Sequence, residues 1–167
     1  MEIWDIYDEN KQLTGKTMIR DDWHMQPGEF HITVQGVVKT PDGKFLITQR
    51  SKEKSWAAGW WEVSGGGVQS GETSAEAVQR EILEETGVDV TGAEGGFVFD
   101  YKRVNPDEGD NYFVDIYRFV VDVDPAKVTL QEGETCGFKL ATKEEIAELG
   151  AQGIFMHYDS MKAVFED

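Results

Sequence analysis

Four glutamates and one arginine fall at fixed intervals in one short stretch: Glu72, Arg80, Glu81, Glu84 and Glu85. An α-helix repeats every 3.6 residues, so positions 81, 84 and 85, at i, i+3 and i+4, share one face. Three carboxylates so placed repel one another by about 0.2–0.5 kcal/mol per pair even in water. A hard divalent cation with oxygen ligands offsets that repulsion, and Mg²⁺ or Mn²⁺ is the natural candidate. Such an ion can bridge diphosphate oxygens and activate a water towards phosphorus. Arg80 keeps its proton and suits orienting carboxylates such as Glu72. Upstream, Gly65-Gly66-Gly67 lets the backbone turn tightly and aim a carbonyl at a metal. A lone glutamate cluster is more often a solvated helix face. The glycines, Glu72 and Arg80 at their spacings count against that here.

Residues 66–88 fit the pattern G-x5-E-x7-R-E-U-x-E-E-x-G-U, with U aliphatic, at every fixed position. At ordinary residue usage, seven such matches arise by chance about once in 10⁸–10⁹ windows. The stretch resembles the signature box of the Nudix family, enzymes that cleave a nucleoside diphosphate linked to another moiety, X. The resemblance implies an α/β fold, an α/β/α sandwich with a mixed sheet, and divalent-metal-dependent hydrolysis of a phosphoanhydride by an activated water. It further implies that the Gly65 carbonyl, Glu84 and Glu85 bind metal and that Glu81 is a ligand or base. Glu81, Glu84 and Glu85 would carry the catalysis, supported by Arg80 and Glu72. Ser64 stands where family members often have proline, a change that bears on loop stiffness more than on chemistry.

The elements that must hold these residues have local signals of their own. Thr73 with Glu76 is a capping-box pattern, so a helix should begin near Ser74, and Gly87 is placed to close it. Ala75, Val78 and Ile82 form its expected apolar stripe. Residues 2–7 and 13–18 flank a turn-like 8–11 and predict an N-terminal hairpin within residues 1–20. Strands are expected over 31–39, 45–50, 60–63, 97–103, 112–121, 128–131 and 138–140. Thr142 with Glu145 opens a second helix to Leu149, and a last helix is expected over 156–166.

Composition bounds the rest. The 167 residues suit one domain, 1–167, with 40 % hydrophobic residues for a core. No apolar run approaches the roughly 20 residues of a membrane span, and the N-terminus lacks the character of a signal peptide. The single cysteine, Cys136, allows no internal disulfide, and a cytoplasmic location is the natural expectation. Acidic residues outnumber basic ones 32 to 16, and the net charge of −16 argues against long nucleic acids as partners. A small diphosphate would need cations nearby. Oligomeric state has no signal.

Outside the box, residues 4–119 resemble type I isopentenyl-diphosphate isomerase and its hydrolase relatives. The N-terminal Trp4-Asp5-Ile6-Tyr7-Asp8-Glu9-Asn10 is typical of that branch. His24 and His31 match two of the isomerase's metal-binding histidines, and Arg50 and Lys54 match its diphosphate-binding pair. Exposed cations balancing Glu53 and Glu62 are the plainer account of Arg50 and Lys54, and polar packing that of the histidines. The isomerase's reactive cysteine would fall where this chain has Val63-Ser64-Gly65, and its third metal histidine has no counterpart. Hydrolysis therefore ranks first. The isomerase reaction is one alternative, and a Nudix-fold sensor that binds a diphosphate without cleaving it is another. Glu132 and Glu134 are candidates for a late acidic ligand. Trp23, Trp56, Trp60, Trp61, Tyr101 and Tyr112 could stack on a base, though packing is the default for each.

Overall fold

The computed structural model describes residues 2–22 and 24–166. Trp23 therefore lies outside the described residues. The N-terminal hairpin pairs β1 (Ile3–Tyr7) with β2 (Leu13–Ile19). The main sheet has seven strands: β3 (His31–Lys39), β4 (Phe45–Arg50), β5 (Trp61–Glu62), β6 (Ser64–Gly67), β7 (Glu94–Asn105), β8 (Asp110–Val120) and β9 (Thr135–Ala141). Its main path runs β5-β4-β3-β8-β7, with β6 paired to β3 and β9 to β4. The β3–β8 pair is parallel and the other pairs are antiparallel, so the sheet is mixed.

Alternation along β3 decides what each face does. Ile32, Val34 and Val38 point to a core that includes Ala77, Val78 and Ile82 of α1 (Ser74–Thr86). Val37, on the other parity, joins a second core with Ile146 of α2 (Lys143–Ala151) and Met161 of α3 (Tyr158–Met161). Helices thus cover both faces, the α/β/α sandwich expected. Gly36 allows the close approach of α1. A Cβ there would lie 2.6 Å from Ile82 Cδ1 and 2.7 Å from Val78 Cγ2.

The caps of α1 form as expected. Thr73 and Glu76 make the reciprocal capping box, and Gly87 closes the helix at φ 77°. Four local expectations need correction. Ala75 is exposed, and the buried stripe runs through Ala77, Val78, Glu81 and Ile82 instead. The glycine run is a strand rather than a turn, registered from Thr33↔Gly67 to Gly36↔Ser64. Residues 128–131 form no strand: a 3₁₀ turn, Pro125–Lys127, precedes them, and Thr129 N–H bonds the Thr86 carbonyl at the end of α1. The last helix is only the four residues of α3, followed by a 3₁₀ turn, Lys162–Phe165.

Candidate active site

Strand β6 is the partition on which the site is built. Its three glycines serve close approach, and none has a positive φ. A Cβ on Gly66 would lie 2.3 Å from the Glu81 carboxylate, on the α1 side. A Cβ on Gly67 would lie 2.6 Å from the Trp4 indole, on the opposite side. A side chain at either position would collide, so the thinness of the strand is required.

On the α1 side, Arg80 organises the carboxylates. Its Nε and Nη2 donate to the two Glu72 oxygens at 2.7 and 3.0 Å, a forked pair. Its Nη1 donates to Glu81 at 2.8 Å and to Glu84 at 3.4 Å, and Nη2 also reaches the Gly67 carbonyl at 3.2 Å. Glu85 accepts instead from the Gly65 backbone N–H at 3.1 Å. Charge is unevenly settled. The hydrogen bonds from Arg80 hold the Glu72 carboxyl below the usual range. Burial pushes Glu81 up despite Arg80. Glu85 is pushed well up, by burial first and then by the Glu81 and Glu62 charges.

Glu62 was not singled out from the sequence as part of a site. Burial raises its carboxyl, with Arg50 pulling the other way. Alternation in the expected strand 60–63 could have flagged it, since Glu62 and Val63 cannot both face solvent or core. Its nearness to Glu85 brings three carboxylates with raised pKa, Glu62, Glu81 and Glu85, around one end of β6.

On the opposite side lie two adjoining clefts of about 380 and 220 Å³ that share Thr33, Gln35, Gly66 and His157. The smaller holds Arg50, Glu62 and Gly65. The larger is walled by Trp4, Trp56, Tyr101 and Tyr112, with Arg20 at the hairpin end. Arg50 donates to Glu62 at 3.5 Å and to the Trp56 carbonyl at 3.1 Å, with its guanidinium over the Trp56 ring. Lys54 pairs with Glu134 and does not line either cleft. Glu134 is thus occupied, and Glu132 is exposed.

The two histidines have separate surroundings. His24 is exposed and pairs with Asp22 at 2.8 Å. His31 is buried, stacked on Trp4 with centroids 4.0 Å apart, and its Nε2 lies 3.0 Å from Asp110. Trp60 and Trp61 line other cavities.

The donor set suits a hard cation. Its donors are oxygens, and burial pushes the Glu81 and Glu85 carboxyls above their ordinary values, a cost that a bound cation would offset. In the present arrangement no three His, Cys, Asp or Glu side chains among the described residues meet at one point. Arg80 holds Glu81 and Glu84, so holding an ion would require side-chain rotation, easiest for the half-exposed Glu84.

Residues 29–159 match the family model of the NUDIX domain. The chain belongs to the Nudix hydrolase family. An uncharacterised Nudix hydrolase of Listeria monocytogenes is 34 % identical over 168 residues, covering 99 % of this chain and 94 % of that one. The nucleoside triphosphatase NudI of Escherichia coli is 46 % identical over 46 residues, 28 % of this chain and 33 % of that one. A crystal structure of DR0079 from Deinococcus radiodurans superposes with a TM-score of 0.71 at 24 % identity, over 92 % of this chain and 91 % of that one, and shares the fold. Nudix hydrolases act on small molecules and generally use divalent metals. None of the helices among the described residues is long and apolar enough to cross a membrane.

Proposed function

We propose that this Nudix hydrolase cleaves a phosphoanhydride bond in a small nucleoside diphosphate-X substrate, using Mg²⁺ or Mn²⁺. The observation that carries the reading is the crowding of Glu62, Glu81 and Glu85, all with raised pKa, at a glycine strand that also borders a cleft holding Arg50. Glu81, Glu84, Glu85 and the Gly65 carbonyl would hold the ion. Once bound, it would polarise the phosphoryl group and make a water more acidic.

The chain's own residues do the rest. The Gly65 N–H holds one oxygen of the Glu85 carboxylate in place. Arg80 keeps Glu81 against Gly66 and ties it to Glu72, so it acts as a positioning residue. Glu81, whose carboxyl burial pushes above its ordinary value, would serve as a further ligand or as the base. Arg50 supplies positive charge on the cleft side, where the diphosphate oxygens would lie. The nucleoside triphosphatase among the relatives supports a nucleotide substrate. Residues 1–167 would act as one domain.

The test is a screen of nucleoside di- and triphosphates, nucleotide sugars, ADP-ribose, dinucleotides and isoprenyl diphosphates, each with and without Mg²⁺ or Mn²⁺. The expected result is turnover of at least one nucleotide, and only with the ion. Turnover of none would contradict the proposal.

Arg50→Ala should raise KM, lower kcat/KM, or both, by about 10-fold, the effect of losing a charged hydrogen bond of about 1.5–3 kcal/mol. Lys54→Ala should cost less, because Lys54 is already paired with Glu134. Unchanged steady-state kinetics in Arg50→Ala would assign Arg50 to balancing Glu62 alone.

Isomerisation of isopentenyl diphosphate is not expected. Cys136, the only cysteine, is exposed and its thiol sits 3.5 Å from Gln49 Oε1 and the Arg50 carbonyl oxygen, outside both clefts. Solvent deuterium should not enter isopentenyl diphosphate in the presence of either ion. Incorporation at enzymic rates would reverse the ranking. A sensor role is disfavoured because all three box glutamates are present.

A further inference from the structure

The two clefts meet at one side chain. Gln35 lies on the cleft face of β3 and lines both. It is registered opposite Gly65, and its Cγ would be only 3.3 Å from a Cβ placed there, so its stem lies over the glycine that anchors Glu85. Its Oε1 is buried and has no hydrogen-bond partner among the described residues. Buried polar atoms are nearly always paired, so an unpaired one calls for an explanation. The rest of the junction is also unusual. His157, which also lines both clefts, holds a left-handed backbone at φ 59°, a conformation that non-glycine residues adopt at some cost and that concentrates at functional sites.

We infer that Gln35 is a specificity-determining contact whose Oε1 accepts a hydrogen bond from a sugar hydroxyl of the substrate, immediately beyond the diphosphate. The inference rests on the proposed nucleoside diphosphate-X reading and deepens it: the site recognises the nucleoside through its sugar as well as through its diphosphate. Position carries this argument. The smaller cleft holds Arg50 and Gly65, where phosphate oxygens are expected, and the larger offers the aromatic walls Trp56, Tyr101 and Tyr112. In a nucleoside diphosphate the group between phosphates and base is the sugar, and Gln35 stands between the two clefts. A water can satisfy Oε1 in the free protein, and the ligand's hydroxyl would replace it. A site built around a buried acceptor discriminates strongly against a ligand that lacks the matching donor, because the acceptor is then left unpaired.

The test is calorimetric titration, with Mg²⁺, of two non-hydrolysable probes: α,β-methylene-ADP and its 2′,3′-dideoxy counterpart. The wild-type protein should bind the hydroxylated probe about 10-fold or more tightly than the dideoxy one. In Gln35→Met, of similar length but without a strong acceptor, that ratio should fall towards one. The ratio is read within each protein, so a partly unfolded variant weakens both probes alike and leaves it interpretable. Gln35→Leu gives a second non-accepting side chain. A wild-type ratio near one, a ratio unchanged by both substitutions, or no binding of either probe would each overturn the inference. An unchanged ratio alongside metal-dependent nucleotide turnover would remove the role of Gln35 and leave the proposed function standing. Absence of turnover on every substrate would remove both.

Discussion

Glu85→Gln is expected to lower kcat by about 100-fold or more on the best substrate while the protein stays folded. An amide is a poor ligand for a hard divalent cation, so the substitution removes a ligand without changing the shape of the side chain. The magnitude is that reached when one group stabilising transition-state charge is lost. Retention of the fold follows from the same geometry. The Glu85 carboxyl stands well above its ordinary pKa because burial and the charges of Glu81 and Glu62 disfavour ionisation. A carboxyl whose folded pKa is raised supports the fold below its unfolded pKa. That support is lost as pH rises through the folded value. At pH 8, without metal, Glu85→Gln should therefore melt no lower than the wild type, and higher if the carboxylate is ionised there. Steady-state kinetics and thermal melts in a chelator check the two halves. A folded variant with wild-type turnover would exclude Glu85 as a ligand.

Arg80→Ala should have the largest effect on stability, about 2–3 kcal/mol. It removes the forked pair to Glu72 together with the bonds to Glu81, Glu84 and the Gly67 carbonyl. The Glu72 and Glu81 side chains are only 16 % and 10 % exposed, so water cannot fully replace the lost guanidinium. Breaking a fully buried pair costs about 3–5 kcal/mol, and partial exposure of Arg80 reduces that figure. For a chain of this length the loss corresponds to a Tm lower by about 5–10 °C. Arg80→Lys should recover little, since an ammonium cannot engage Glu72 through two parallel bonds while also holding Glu81. Activity should fall as well, because Glu81 loses its restraint against Gly66. A melting temperature within a degree of wild type in Arg80→Ala would show that these contacts contribute nothing to the fold.

Short-range signals carried much of this structure. Thr73, Glu76 and Gly87 mark α1 because caps are chemistry between residues three or four apart. The boundaries of β3 and β4 and the hairpin followed from alternation and turn residues in the same way. Pairings made at long range left no such mark. A run of three glycines reads as a turn from composition, and it becomes a strand only because β3 offers a ladder and α1 and Trp4 crowd it from both sides. Ala75 has the right spacing for the apolar stripe, but the face of α1 that meets the sheet runs through Ala77, Val78, Glu81 and Ile82. At the site, the box placed Glu72, Arg80, Glu81, Glu84 and Glu85 on one helix and loop. Glu62, Gln35 and His157 were silent, since each reaches the site from a different strand or loop and has no motif. Lys54 shows the converse. It matched a family position, yet a glutamate 80 residues further along the chain holds it.

Metal dependence tests the central claim most directly. The wild-type protein, stripped with a chelator and assayed on its best nucleotide substrate in ¹⁸O-water, should be inactive until Mg²⁺ or Mn²⁺ is restored. Turnover should then place ¹⁸O in a phosphate group of a product. Hydrolysis that persists undiminished in the chelator, or ¹⁸O appearing only outside the phosphates, would contradict the account.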